Sequence, residues 1–231
     1  MPNWIKNRIT LRAPEQEKIE EMFDFFKGEN GDLDFNKIIP IPEDIKGIEP
    51  DETSQAASAY YKAKELGNFE GVDELLRYKW CRDANITTRE ELLNFWESNN
   101  GEYKEMPYGE NLYEYGKYLW ELEQKYGCDC ERKWRIKNWL SIWNAVDEKR
   151  EENTMEFVTA VAGVPDLMFA ASKKFPAVTV CYEFADMEYY GGNLGRYIFR
   201  AGEVFYEYEP EDDSEDAMIL TKEILGDDFE D

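Results

Sequence analysis

Few groups of residues in this chain of 231 combine the right types and spacing for chemistry, and each also has a structural reading. Cys128-Asp129-Cys130-Glu131 comes nearest to a metal motif. Tetrahedral zinc needs four good ligands, and the chain has no second cysteine pair and no histidine to complete them, so these read as structural thiols. A catalytic cysteine would need a cationic neighbour or a helix N-terminus, and here only Lys or Arg could supply the charge. Glu183 and Asp186 form a carboxylate pair of the kind that serves glycosidases as acid and base, but with 51 acidic residues chance pairs are unavoidable. Gly191-Gly192-Asn193-Leu194-Gly195 lacks both a following Lys-Ser/Thr and the G-x-G-x-x-G spacing, and it leads into a strand, so it reads as a turn rather than a phosphate cradle. The sequence thus predicts no catalytic residue, no metal ligand and no cofactor.

Two other groups point to binding. Asn138, Trp139, Trp143 and Asn144 place two tryptophans four residues apart, on one face if the segment is helical, with an amide on either side. They either dock an inserted block onto a sheet, with the amides satisfying buried backbone, or line a ligand groove. The second group is acidic. Residues 203–231 carry thirteen carboxylates and a single lysine, Lys222, and Glu207, Glu209, Glu211, Asp212, Asp213, Glu215 and Asp216 form the densest run. Such runs are usually solvated surface or helix N-terminal acids. Here the run adjoins Phe205, Tyr206 and Tyr208, which offers spaced negative charge beside an apolar anchor.

The whole chain is acidic as well: 51 Asp and Glu against 27 Lys and Arg, with a formal net charge of −24. Phosphate backbones and anionic membranes should repel it, whereas basic proteins should be drawn to it. Without histidine, hydrolase triads and histidine-based metal sites are excluded. Cys81, Cys128, Cys130 and Cys181 are scattered and read as reduced cytosolic thiols. The start Met-Pro-Asn-Trp-Ile-Lys has no apolar stretch to act as a secretion signal, and no apolar run approaches the roughly 20 residues that span a bilayer, so a cytoplasmic location is expected.

The elements that must position these groups follow from periodicity. Ile5, Ile9 and Leu11 alternate with Lys6, Arg8 and Thr10, predicting a strand over 4–12 in which Asn7 falls on the apolar face. Ile19, Met22, Phe23 and Phe26 predict a helix over 15–27. A short strand over 35–41, closed by Pro40 and Pro42, is expected next. The stretch 46–149 reads as a mostly helical insertion, with helices over 87–98, 112–126 and about 133–143. Alternation returns over 155–161 and 177–184, on either side of a helix over 165–174 opened by Pro165. A hairpin around Ala201-Gly202 and a helix from Ser214 to Leu225 finish the chain, followed by the acidic tail Asp227, Asp228, Glu230 and Asp231. The fold class is therefore α+β, a βαββαβ ferredoxin-like antiparallel sheet from 1–45 and 150–231. The helical block enters the hairpin between its second and third strands.

Several segments resemble the YubB ferredoxin-like domain family. They are Met1-Pro2-Asn3-Trp4 with Asn7, Phe35-Asn36-Lys37-Ile38-Ile39-Pro40-Ile41-Pro42, and Asn138-Trp139-Leu140-Ser141-Ile142-Trp143-Asn144-Ala145. Further pieces are Val164-Pro165, Phe175-Pro176 and Tyr182-Glu183-Phe184-Ala185-Asp186 with the glycines after it. The likeness covers roughly 1–45 and 130–200. Where the family reads Asn-Trp-Gly-Thr-Lys-Trp-Asn-Ala, this chain has Leu140-Ser141-Ile142 between the tryptophans and no central glycine. The resemblance implies a ferredoxin-like fold carried by phages, plasmids or integrated elements, with no assigned activity.

Charge and resemblance together predict a non-enzymatic binding protein that inhibits a host defence protein by occupying its basic nucleic-acid surface, a nuclease being the expected partner. On this reading Glu207, Glu209, Glu211, Asp212, Asp213, Glu215 and Asp216, with Trp139 and Trp143, contact the partner. Two alternatives compete with it. One is a single-stranded nucleic-acid-binding module that uses Lys6, Arg8 and the aromatic strands around Tyr182, against which the net charge counts. The other is an enzyme using carboxylates and Mg²⁺, for which no Asp-x-Asp spacing singles out a site.

Overall fold

The computed structural model describes residues 3–29, 33–98, 111–188 and 192–226. Its chain folds into two units, Met1–Ile41 with Arg135–Asp231, and Pro42–Trp134. The elements run β1 (Trp4–Arg12), α1 (Gln16–Phe26), α2 (Phe35–Ile38), α3 (Glu52–Leu66), α4 (Glu70–Leu75), α5 (Lys79–Asp83), α6 (Arg89–Ser98) and α7 (Leu112–Tyr126). They continue with α8 (Glu131–Trp139), β2 (Val146–Glu151), β3 (Thr154–Ala160), α9 (Pro165–Lys174), β4 (Thr179–Asp186), β5 (Leu194–Arg200), β6 (Glu203–Tyr208) and α10 (Glu215–Leu225). The fold is mixed α+β.

The first unit is built on one six-stranded antiparallel sheet in the order β2-β3-β1-β4-β5-β6. β1 lies inside it, with Asn7 opposite Phe157 on β3 and Phe184 on β4. Alternation sorts its side chains: Ile5, Asn7, Ile9 and Leu11 are buried, while Lys6, Arg8 and Thr10 point to the other face. The buried face continues through Met155, Phe157 and Thr159, through Val180, Tyr182 and Phe184, and through Tyr197 and Phe199. α1 covers its β2 side, where Arg150 lies over the Phe23 ring, and α9 covers its β5 side, where Phe169 meets Phe199 edge-on. Each of these large side chains contributes about 1.5–3 kcal/mol on full burial.

A buried polar network ties β1, β3 and β4 together. The Asn7 amide donates to Thr159 Oγ1 at 2.9 Å and to the Ile5 carbonyl at 2.8 Å, and Asn7 Oδ1 accepts the Tyr182 hydroxyl at 2.6 Å. That hydroxyl also accepts the Val164 N–H just before α9. A polar residue on an apolar strand face is tolerated because its groups are paired in this way.

The opposite face is half covered. α10 crosses it, packing Ala217, Leu220, Ile224 and Leu225 against Ala185 and Leu194. Its start is capped by Ser214, whose hydroxyl accepts the Ala217 N–H.

Two sequence expectations need correction. Residues 35–41 do not form a strand: 35–38 are the helical turn α2, with Asp34 accepting the Asn36 N–H at 2.9 Å. Phe35, Ile38 and Ile41 are the buried positions, a spacing of three rather than two. The second strand is instead β2, which begins within the stretch read as helical and runs two residues past its end. β2 and β3 form a tight hairpin, Glu151 facing Thr154, so the helical block precedes β2 and does not interrupt that hairpin.

The second unit is helical among its described residues. Asp51 caps α3 and Asn111 caps α7, and each of these helices ends at a left-handed glycine, Gly67 and Gly127. Glu91 reaches back to the Thr87 and Thr88 N–H groups while Thr88 Oγ1 accepts the Glu91 N–H, so a capping box opens α6, inside the helix expected over 87–98. α3 and α7 pack at Gly116, where an added Cβ would fall 2.1 Å from the Ala57 carbonyl oxygen. Asp44 accepts the Tyr126 hydroxyl and pairs with Lys125 at 2.7 Å, and these contacts hold its carboxyl below the usual range.

Candidate functional site

The acidic run lies at the β6 end of the sheet. β5 and β6 join through Ala201-Gly202, both left-handed (φ 52° and 76°), which is the two-residue turn whose twist suits a hairpin. The left-handed backbone at Gly202 favours glycine, and a Cβ there would fall 2.5 Å from Lys173 Cγ, so the lysine side chain would have to move for any other residue. β6 is the terminal strand, with β5 on one side and no strand beyond it among the described residues. Its side chains are mostly in solvent: Val204 is 50% exposed, Phe205 62% and Tyr206 43%. A register shift opposite Ile198 and Phe199 leaves Phe205 outside the regular pairing.

Glu207, Glu209, Glu211, Asp212, Asp213, Glu215 and Asp216 are all exposed along β6, the following turn and the first turn of α10. The structure therefore brings all seven onto one continuous stretch of surface. Four of them also have local partners. Glu209 accepts the Tyr197 hydroxyl, with Glu207 3.5 Å from the same oxygen, and burial followed by the Glu209 contact pushes that phenol up. Asp212 accepts the Gly192 N–H at 2.6 Å, and Asp216 accepts the Tyr208 hydroxyl at 3.1 Å. Glu215 and Asp216 sit in the first turn of α10, where the helix dipole favours negative charge. Glu211, Asp213 and Glu215 point outward with no side-chain partner among the described residues. The tail residues Asp227, Asp228, Glu230 and Asp231 lie outside the described residues, as does Gly191.

The tryptophans do not share a face. α8 ends at Trp139, and Leu140 turns the chain with a left-handed φ of 60°, so Trp143 is not on that helix. Trp139 is 1% exposed, donates its indole N–H to the Ile39 carbonyl at 2.9 Å and meets Phe35 edge-on. Trp143 is 46% exposed and stacks on Trp4. Asn144 accepts the Phe35 N–H at 3.0 Å and donates to Asp34, so it satisfies backbone as an anchoring amide should. Trp139 is thus removed from the contact set by burial, while Trp143 stays accessible.

The open part of the sheet face carries a charge ladder that the sequence did not reveal. Lys6 pairs with Glu156 at 3.4 Å, Arg8 with Glu183 at 2.7 Å, and Arg196 with Glu183 at 2.5 Å and Glu223 at 2.9 Å. Alternating charges in β1, β3, β4 and β5 were its only signal, and strand order was needed to join them. The basic groups suggested for nucleic-acid contact, Lys6 and Arg8, are therefore matched by carboxylates. Tyr182, the suggested stacking residue, is fully buried on the helix-covered face. Glu183 and Asp186, three apart on one strand, point to opposite faces and do not form an acid–base pair. Cys128 and Cys130 are buried, burial raises the Cys130 thiol, and no three metal-ligating side chains gather among the described residues. Among those residues no helix is long and apolar enough to cross a membrane.

No family model matches the chain, and no curated protein matches it. Among solved structures it is similar to that of a protein api92 from Yersinia pseudotuberculosis, which carries the family label DUF1281. The likeness covers 93% of this chain and 100% of the other, at 10% sequence identity and a TM-score of 0.41.

Proposed function

We propose that the protein is a non-enzymatic binding module whose acidic β6–α10 ridge engages a basic protein surface that otherwise holds nucleic acid. The observation that carries this reading is the run of seven exposed carboxylates beside Val204, Phe205 and Tyr206, on a chain of net charge −24. Channels that hold nucleic acid gain much of their affinity from phosphate contacts, so a rigid array of carboxylates competes for the same Lys and Arg side chains. The array is rigid where Tyr197, Tyr208 and the Gly192 amide hold Glu209, Asp216 and Asp212 in place. In this reading the chain belongs to a mobile element, and its target is a host defence protein, a nuclease above all. The pairing of β1 with both β3 and β4, the β2–β3 hairpin and the helices after β1 and β3 support the ferredoxin-like assignment. Direct binding of single strands is disfavoured by the matched cations of the open face and the burial of Tyr182.

The test is capture from a bacterial lysate at low salt, with duplex DNA as eluent. Nucleic-acid-binding proteins should be retained and then released by DNA. A variant with Glu207→Gln, Glu211→Gln, Asp213→Asn and Glu215→Gln should retain less. Asn suits the left-handed backbone at residue 213, so that change does not strain the turn. An identical set retained by the variant, or no release by DNA, would contradict the reading.

A further inference from the structure

We infer that the outer edge of β6 is a docking site for an extended, basic peptide segment, which adds to the sheet as a seventh strand. This deepens the reading above and rests on it. β6 ends the sheet, and among the described residues no hydrogen bond reaches its outer edge. Such an edge presents a row of unpaired N–H and C=O groups, and an added strand completes them. Folded proteins usually protect an edge with lysines, a proline or a covering segment. β6 reads Glu-Val-Phe-Tyr-Glu-Tyr, with no lysine and no proline. Against its own copies it is protected by the charges of Glu203 and Glu207 and by the register shift near Phe205, while Tyr206, Glu207 and Tyr208 keep regular pairing to β5.

Charge selects the occupant. Glu203 and Glu207 lie on the strand, and Glu209, Glu211 and Asp213 follow it. Lysines or arginines on an incoming strand meet these carboxylates, while its β-branched or aromatic residues meet Val204, Phe205 and Tyr206. A second copy of this chain would instead bring Glu203 and Glu207 against their own equivalents, and like charges facing across strands are destabilising. The edge therefore favours a basic partner over self-association.

The experiment uses two peptides of about ten residues with equal lysine content. One alternates Lys with Val. The other carries Pro in place of two valines, keeping the charge while removing strand donors. Binding is measured by calorimetry at low and moderate salt, and hydrogen exchange reports on the amides of 203–208. The strand-competent peptide should bind at least about tenfold more tightly and slow exchange in β6. Val204→Ser with Phe205→Ser, at exposed positions that leave the fold intact, should weaken it several-fold. Equal binding of both peptides would overturn edge pairing and leave the charge reading standing. No binding of either, or dimerisation through β6 in its place, would overturn the inference. If the four-residue acid variant keeps the preference at undiminished affinity, the edge stands and the charge reading fails.

Discussion

Replacing Tyr182 with Phe removes one oxygen from the centre of the sheet and leaves two buried groups without a partner. Asn7 Oδ1 loses its 2.6 Å donor, and the Val164 N–H loses its acceptor. Both lie where water does not reach, Asn7 being 0% exposed. Each orphaned group costs about 1–3 kcal/mol, so the variant should lose roughly 2–6 kcal/mol, or roughly 5–20 °C in thermal midpoint. The ring itself still fills its place beside Phe184, and a cavity adds little. The assay is denaturant unfolding followed by tryptophan fluorescence. The same variant should also change the pH response. Burial raises the Tyr182 phenol well above its ordinary value of 10, so its stabilising contribution is fully present below pH 10 and is lost as pH rises through the tyrosine range. The wild type should lose stability there more steeply than the variant. A variant within about 0.5 kcal/mol of wild type at neutral pH would refute the network as a structural tie.

Gly116→Ala should destabilise the helical unit by several kcal/mol, about 3 or more, since the added methyl collides with the Ala57 carbonyl; circular dichroism and a loss of cooperative unfolding would report it. Trp139→Phe should cost about 1–2 kcal/mol through the orphaned Ile39 carbonyl and lost packing, measured by denaturant unfolding. Trp143→Phe should stay within about 0.5 kcal/mol, because the ring is half in solvent and its stacking on Trp4 is kept.

Where one face of an element is apolar and the other polar, the sequence sufficed. β1 and α9 follow the periods expected of them, and α10 starts at its Ser214 cap. β2 was invisible because Val-Asp-Glu-Lys-Arg-Glu lies at an edge, exposed on both faces apart from Glu148, and so shows no alternation. The run Phe35–Ile41 misled for the opposite reason: a short apolar stretch fits a strand or a helical turn, and the Asp34 cap decides. Trp143 looked helical because nothing in Leu140-Ser141-Ile142 announces a left-handed residue. Exposure of the acidic run was legible from its composition. The duties of Glu209, Asp212 and Asp216 were not, because Tyr197, Gly192 and Tyr208 reach them only through sheet pairing and the fold of the following turn.

The most direct test of the central claim is the salt dependence of binding to a captured partner, for the wild type and the variant carrying E207Q, E211Q, D213N and E215Q. A single exposed ion pair contributes only about 0.2–1 kcal/mol, so the four changes act together and should weaken affinity about ten- to hundredfold at low salt. The wild-type affinity should fall steeply with added salt, duplex DNA should compete for the same surface, and the variant should show a flatter slope because fewer charges take part. An equally tight, equally salt-dependent complex with the folded variant would contradict the account.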